Sequence, residues 1–473
     1  MLKHSNRPSV IARVQNIRNL KIYEPRISKG RVVRGNVVNI RGSFTYSESS
    51  NSDFASDTYR DFPVIINGDG SIWKEASLYM LSHIKRVTPP PSSTLKSIAG
   101  CLKDYLVWLE DTETCFLSAE MRRHSRPTYK YTSYLRLLIQ SGVIQSSTAK
   151  KKLSSVLNFY RWMGKHHIVD CSKLWIDIER NIPVKVTGGR KSITSTDLMK
   201  SLSRTKQIQN HSNFIMDCGK LRPLTRSQVI SLRQALSDSP NTVMQLAFDI
   251  ALLTGARLET VFTLRLKDFS EELTNTQYSK KILIGGNSLV KAKNDKEHYL
   301  YFPSGIYNRL RDYSISESAM KRRKISNHRY SSPGDQYLFL TKSGKAYYID
   351  EDDVNISQYG DLPKGNSVSQ FIRCQLDPLL RKNGGAFKLK FHDLRATFGL
   401  ELLDFETARR KRSVSDPQNP QHQLPILNYV RERMGHQSIE TTLGYFSYRD
   451  RIDVLDAIND DFEQHLFGFT PVL

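Results

Sequence analysis

Four short constellations, met in order toward the C-terminal end, carry residue types suited to handling an anion. In LLTGARLETVFTLRL (252–266), Gly255 ends a helix whose apolar face is Met244, Ala247, Phe248 and Ala251, and Arg257 follows directly. A guanidinium just past a buried helix end can project into a cleft. In LVKAKNDKEHYLYF (289–302), Lys293 precedes and Lys296 follows an Asn294-Asp295 turn, so a lysine at a hairpin tip can reach into a groove. In FHDLRATFGLELL (391–403), His392 and Arg395 stand at i and i+3 beside the apolar stripe Leu394, Phe398 and Leu402, and so share a helix face. A histidine and an arginine converging there could bind one phosphate. In RERMGHQSIETTLGYFSY (431–448), Gly435 stops a helix, His436 follows, and Tyr445 falls on a short second helix. Taken singly, each has a plainer reading: a surface arginine, a solubilising turn lysine, a histidine satisfied by a carbonyl, one tyrosine among 22.

The elements that must position these residues are mostly helical. Pro89-Pro90-Pro91 interrupts the chain, and three helical runs follow: Leu95, Ile98, Leu102, Tyr105 and Leu109; then Tyr131, Tyr134, Leu135 and Leu138; then Leu153, Val156, Leu157, Tyr160 and Met163. They predict a small bundle over 92–170, with Lys150, Lys151 and Lys152 on its outer edge. Residues 180–221 are polar and read as an extended linker ending in a short helix. From Leu224 helical periodicity resumes, interrupted by β-like runs at Ile282–Ile284, Leu289–Ala292 and Tyr299–Phe302. Segments 314–335 and 405–424 are basic and polar and read as inserted loops. At the start, ten lysines and arginines between Lys3 and Arg41 stand against one acid, Glu24, as expected of a basic arm. RVVRGNVVNIRGSF (31–44) reads as a strand or two, and SESSNSD (47–53) as a loop.

The composition is that of a globular protein: 473 residues, 39% hydrophobic and 25% charged. No apolar run reaches membrane-spanning length, and the N-terminus lacks the apolar stretch of a signal peptide. The five scattered cysteines form no CxxC pair, so neither a disulfide framework nor a cysteine zinc site is expected, and a reducing cytoplasm fits. The imbalance that matters is charge. Seventy Lys and Arg against 47 Asp and Glu give +23, which favours a polyanionic partner, nucleic acid being the commonest.

The order Arg … Lys … His-x-x-Arg … Gly-His-x4-Thr-Thr-x2-Tyr resembles the tyrosine recombinase (phage integrase) family, over about 222–450. TGAR and TTLGY are its most specific stretches, and the bundle at 92–170 is similar to that family's core-binding domain. The resemblance implies a mainly α fold with a small β-hairpin sheet in an α+β catalytic domain. It implies a basic arm at 1–88, a helical core-binding domain at 89–180, a linker at 181–221, and a catalytic domain with a C-terminal tail at 222–473. It implies site-specific cleavage and rejoining of double-stranded DNA, with a homo-tetramer in synapsis, room for accessory DNA-bending or directionality factors, no membrane partner, and a cytoplasmic, nucleoid-associated location. The carried-over catalytic residues are Arg257, Lys293, His392, Arg395, His436 and Tyr445; Lys150, Lys151, Lys152 and Arg161 are the candidate DNA contacts.

The chemistry suits that assignment. Attack on a phosphodiester adds negative charge to the non-bridging oxygens, and two arginines can bind them bidentately at any working pH. Arg257 and Arg395 match these, His436 adds a donor, Tyr445 matches the nucleophile, His392 the base or orienting histidine, and Lys293 the acid that protonates the leaving 5′ oxygen. A 3′-phosphotyrosyl link conserves the bond energy, so neither ATP, metal nor other cofactor is expected. The family commonly has an acid three residues after the first arginine; here Thr260 stands there and Glu259 one earlier, which leaves the support of Arg257 open. The long N-terminal region favours a mobile-element integrase over a minimal chromosome-dimer resolving enzyme. A type IB topoisomerase-like relaxing enzyme and an inactive DNA-binding protein are the competing readings. The charge yields a prediction for all three: with about six phosphate contacts, DNA affinity falls on the order of a thousandfold from low to moderate salt, as measured by filter binding.

Overall fold

The computed structural model describes residues 11–21, 23–26, 45–48, 58–85, 89–118, 122–183, 190–204, 214–217, 219–274, 277–350, 352–385, 387–411 and 420–452. The chain separates into two units, 1–210 and 211–473. No helix among the described residues is long and apolar enough to cross a membrane. The fold class is mainly α, with small two-stranded antiparallel sheets.

In the first unit, β1 (Arg13–Lys21) pairs with β4 (Thr58–Ile66), and β2 (Tyr23–Arg26) pairs with β3 (Thr45–Glu48). Phe62, Val64 and Ile65 of β4 are buried together with Ala76 and Met80 of α1 (Lys74–Ile84). The three helical runs form α2 (Ser92–Asp111), α3 (Pro127–Gln140) and α4 (Ser146–Lys165), as the spacing predicts. Leu95, Leu102 and Tyr105 of α2, Tyr131 and Leu135 of α3, and Leu153, Val156 and Tyr160 of α4 close one core. Inside it the Tyr105 and Tyr160 hydroxyls are 2.7 Å apart, and Tyr160 donates to the Phe116 carbonyl, so neither polar end is stranded by burial. Tyr134, expected inside, is 39% exposed and stacks on Trp108 at the rim.

This core also takes in residues of β1, β4 and α1, so those three elements are built onto the bundle. The strands expected in 31–44 lie outside the described residues. Of the expected 47–53 loop, residues 47–48 end β3 and the remainder lies outside them too. The segment read as a linker opens in a hairpin, β5 (Asp177–Pro183) against β6 (Arg190–Thr196), and continues as α5 (Asp197–Arg204), whose Leu198 and Leu202 complete the first core.

The second unit begins with a minimal hairpin, β7 (Ile215–Met216) and β8 (Lys220–Leu221). Thr225 then starts α6 (Arg226–Ser237) with a reciprocal capping box to Gln228. Asn241 caps α7 (Thr242–Thr254), which Gly255 ends at φ 69°, a left-handed position that glycine adopts without strain. Next come α8 (Leu258–Thr263), the antiparallel β9 (Ser279–Ile284) and β10 (His298–Pro303), and α9 (Ser304–Ile315) and α10 (Glu317–Ile325). Then α11 (Asn366–Phe371), α12 (Asp377–Lys382), α13 (Asp393–Lys411) and α14 (Pro420–Met434) follow, with a last helix, α15, over 439–452. The large core centres on α7: Phe248 packs edge-on against Phe371 and Phe391, with Phe262 of α8 alongside.

Three local expectations are corrected. Leu289–Ala292 is not a strand, because Gly285 and Gly286, both at positive φ, turn the chain out of β9 before it. Much of 314–335 is α10, capped by Ser316, whose side chain accepts from the Ala319 backbone. Of 405–424, residues 405–411 extend α13 and 420–424 open α14, with 412–419 outside the described residues. The tail beyond residue 452 also lies outside them.

One packing detail controls where the last helix sits. A Cβ on Gly399 in α13 would lie 2.5 Å from the Tyr445 ring and 2.9 Å from the Met434 methyl, whereas one on Gly444 of α15 meets nothing within 4 Å. Gly399→Ala should therefore destabilise the protein by about 1–3 kcal/mol, as overpacking does. Gly444→Ala should be neutral or stabilise by up to about 1 kcal/mol, since it only adds helix propensity. Urea unfolding of the two variants measures the contrast.

Candidate active site

Arg257 and His436 follow helix ends, His392 and Arg395 stand at a helix start, and Tyr445 lies within a helix. Arg257 follows the Gly255 cap of α7 and is itself the N-cap of α8. Arg395 lies in the first turn of α13, and His392 immediately precedes that helix; the two share its opening turn, with the Arg395 N–H donating to the His392 carbonyl. His436 follows Gly435, which adopts φ 60° after α14, and its N–H donates back to the Arg431 carbonyl. Tyr445 projects inward from α15 and is fully buried.

These four segments converge on one acid that the sequence did not single out, Asp217, at the tip of the β7–β8 hairpin. Its Oδ2 accepts from Arg395 Nε at 2.8 Å, and lies 3.2 Å from His436 Nε2 and 3.2 Å from the Tyr445 hydroxyl, which donates to it. Its Oδ1 is 3.7 Å from an Arg257 terminal nitrogen. Asp217 and Arg395 are 1% and 2% exposed, so the ion pair is removed from water. Arg395 is held from behind as well: its two terminal nitrogens donate to the Gly255 carbonyl (2.7 Å) and the Met434 carbonyl (2.6 Å). These are the C-terminal ends of α7 and α14, where helix dipoles favour a cation.

The hydrogen bonds fix the state of His436. Its Nδ1 is 2.9 Å from the Thr442 hydroxyl, while Nε2 faces the carboxylate. Burial and the nearby Arg395 lower its pKa, so the ring is neutral; Nε2–H donates to Asp217 and Nδ1 accepts from Thr442. Thr442, the second threonine of TTLGY, thereby acquires a structural reason. Burial would raise the Asp217 pKa, but His436 and Arg395 overcome it and hold the carboxyl well below the usual range. Burial, with Asp217 beside it, pushes the Tyr445 phenol well above its ordinary value. His392 is half-buried, and burial with the charges of Arg395, Arg257 and Lys293 lowers it to about 4.

Lys293 lies on an exposed one-turn 3₁₀ segment before Asn294 and Asp295, both left-handed, at the turn the sequence predicts. Thr260, standing where an acid was expected, donates to the Lys291 carbonyl, and Thr263 accepts from the Lys291 N–H. Together they staple this loop to α8, while the Lys291 side chain pairs with Asp350 at 2.9 Å. Asn294 reaches Gln437, the residue after His436, at 3.2 Å. Tyr448 packs in the small apolar cluster with Ile426, Val430 and Leu403. Of the four candidate DNA contacts, all in the first unit, Lys152 pairs with Asp104 at 2.8 Å and Arg161 lies over the Trp175 ring; Lys150 is half-buried and Lys151 exposed.

The described fold is similar to solved structures of integrases. One is the Tn1549 transposon integrase, residues 82–397, in complex with circular intermediate DNA: 13% identity, TM-score 0.42, covering 78% of this chain and 94% of that one. Another is a lambda integrase (75–356) dimer bound to a COC′ core site: 12% identity, TM-score 0.43, covering 79% and 94%. No family model and no curated protein matches the sequence.

The histidines predict an acid response. His392 binds its proton less readily folded than unfolded, and His436 shifts the same way. The unfolded chain therefore takes up more protons between its ordinary histidine pKa of about 6.5 and the folded value, and stability falls as pH drops through that interval. Urea midpoints should decline from pH 7 toward 4, and His392→Asn should flatten part of that slope.

Proposed function

We propose that this chain is a tyrosine-type site-specific DNA recombinase that integrates or excises a mobile element. The observation that carries the proposal is the meeting of Arg257, Arg395, His436 and the Tyr445 hydroxyl around a single pair of anionic oxygens. Two guanidinium groups, a neutral imidazole N–H and a nucleophile's oxygen are the parts a phosphodiester needs, and their order along the chain is the family's. In this reading a phosphodiester binds where those four groups point. The Tyr445 oxygen attacks phosphorus, the phosphorus–oxygen bond to the 5′ carbon's oxygen breaks, and that oxygen takes a proton from Lys293. Charge gathering on the non-bridging oxygens is met by Arg257, Arg395 and His436, of which Arg395 is already oriented by two backbone carbonyls and His436 by Thr442. His392 takes up the phenol proton or orients the phosphate. Attack by a 5′ hydroxyl of another duplex reverses the steps and rejoins the strands.

Synapsis of two duplexes by four copies, with accessory factors setting direction, belongs to the same proposal. Its test is covalent trapping on nicked duplexes spanning the junctions of the element that encodes the chain. A protein–DNA adduct should form in EDTA, vanish with Tyr445→Phe and persist with Tyr448→Phe. Arg257→Ala or Arg395→Ala should slow it by several powers of ten while Tyr445 remains. Phosphotyrosine mapped to any other residue would overturn the assignment, and a wild-type chain that binds DNA but never forms the adduct would leave only a DNA-binding protein.

A further inference from the structure

Resting on the proposed reading of the same site, we infer that Asp217 is a built-in stand-in for the scissile phosphate, and that the 215–221 hairpin must withdraw it before DNA can be cleaved. A carboxylate that merely supported the arginines would touch them from behind and leave their phosphate-facing atoms available. Asp217 does otherwise. Its Oδ2 takes Arg395 Nε, His436 Nε2 and the Tyr445 hydroxyl together, and its Oδ1 faces Arg257, so the groups that must grip and attack a phosphate are all engaged. Phosphate and carboxylate cannot occupy that volume at once. Both carry one negative charge and offer a pair of oxygens, so exchanging them preserves the charge balance of a buried site.

The hairpin is suited to such an exchange. Its strands are two residues each, and only Ile215 and Leu221 are buried against the cluster of Ala396, Val430 and Tyr445; Met216 is 63% exposed. The chain just beyond is fixed independently: the Arg222 N–H donates to Asp393 at 3.0 Å and the Leu224 N–H to Thr397 at 2.9 Å. The tip can therefore leave while the base stays on α13. While Asp217 remains, the Tyr445 proton stays on the phenol, since a second negative charge beside the carboxylate is disfavoured.

The test uses the full chain and two readouts, inorganic phosphate binding by calorimetry at low ionic strength and single-turnover adduct formation on a nicked duplex. Asp217→Asn keeps the shape and removes the charge. It should bind phosphate about tenfold or more tighter than wild type, because the open state is no longer rare, and Arg395→Ala in that background should abolish the gain. Phosphate should also raise the Tm of Asp217→Asn and not that of wild type. Adduct formation should accelerate by a similar factor. Ile215→Ala, which loosens the hairpin and keeps the carboxylate, should give an intermediate rise in both. Loss of phosphate binding and of adduct in Asp217→Asn, as in Arg395→Ala, would make Asp217 a permanent positioning residue and overturn the inference. An adduct at unchanged rate with unchanged phosphate affinity would overturn it while leaving the recombinase reading intact. A gain in phosphate binding with no adduct from any variant would sustain the inference and overturn that reading instead.

Discussion

The second unit is organised around a buried guanidinium that must never be without an anion. Arg395 is 2% exposed, so its guanidinium charge has to be balanced inside the protein. Two helix C-termini supply part of the balance through the Gly255 and Met434 carbonyls, and a carboxylate supplies the rest. Breaking such a buried pair by removing one partner typically costs about 3–5 kcal/mol. A site of this kind is stable only when occupied. The same energetics that hold Asp217 in place would, in the proposed reading, favour a phosphate that replaced it, so stability and anion binding would be linked there.

The surrounding geometry follows from delivering those carbonyls and donors to one point. Helices α7 and α14 end in left-handed glycines, which turn the chain away and let Arg257 and His436 emerge beside the exposed carbonyls. Neither glycine tolerates a side chain: a Cβ on Gly255 would meet the Phe398 ring at 2.5 Å, and one on Gly435 the His298 ring at 2.5 Å. Gly399 gives α15 room to seat Tyr445 against α13. Close approach at three positions thus fixes the distance between the cations and the phenol, and the large apolar core behind α7 keeps the helix ends from relaxing apart.

Much of this was legible in the sequence because it is local. Helix stops at Gly255 and Gly435, the turn at Asn294-Asp295, the three runs of the bundle and the helix bearing Tyr445 all rest on short-range signals, and each is present. Leu289–Ala292 shows the limit of that reasoning: its alternation resembles a strand, but positive φ at Gly285 and Gly286 takes the chain out of register with any partner. The packing of β1, β4 and α1 onto the bundle was hidden, since pairing across residues 21 to 58 has no local signature. Asp217 was hidden for the same reason. Nothing in MDCGK marks it, and its partners lie 178 residues away at Arg395 and 219 away at His436. The one available signal was indirect: buried arginines need an acid, and the position three residues after Arg257 holds a threonine instead.

That threonine explains how the site divides its tasks. Thr260 and Thr263 spend their hydroxyls on the Lys291 backbone, fixing the loop that carries Lys293. Lys293 itself stays on an exposed turn, while Arg395 and His436 are buried and Arg257 is half-buried. The difference matches what each would do in the proposed reaction. Groups that stabilise charge on non-bridging oxygens work best held rigid and dry, where their field is strong and no reorganisation is needed. An acid must instead meet a leaving oxygen that belongs to the DNA, and a long side chain on an anchored, exposed turn has the reach to do so. Lys291, two residues earlier on the same loop, instead pairs its ammonium with Asp350 and so helps to anchor the turn.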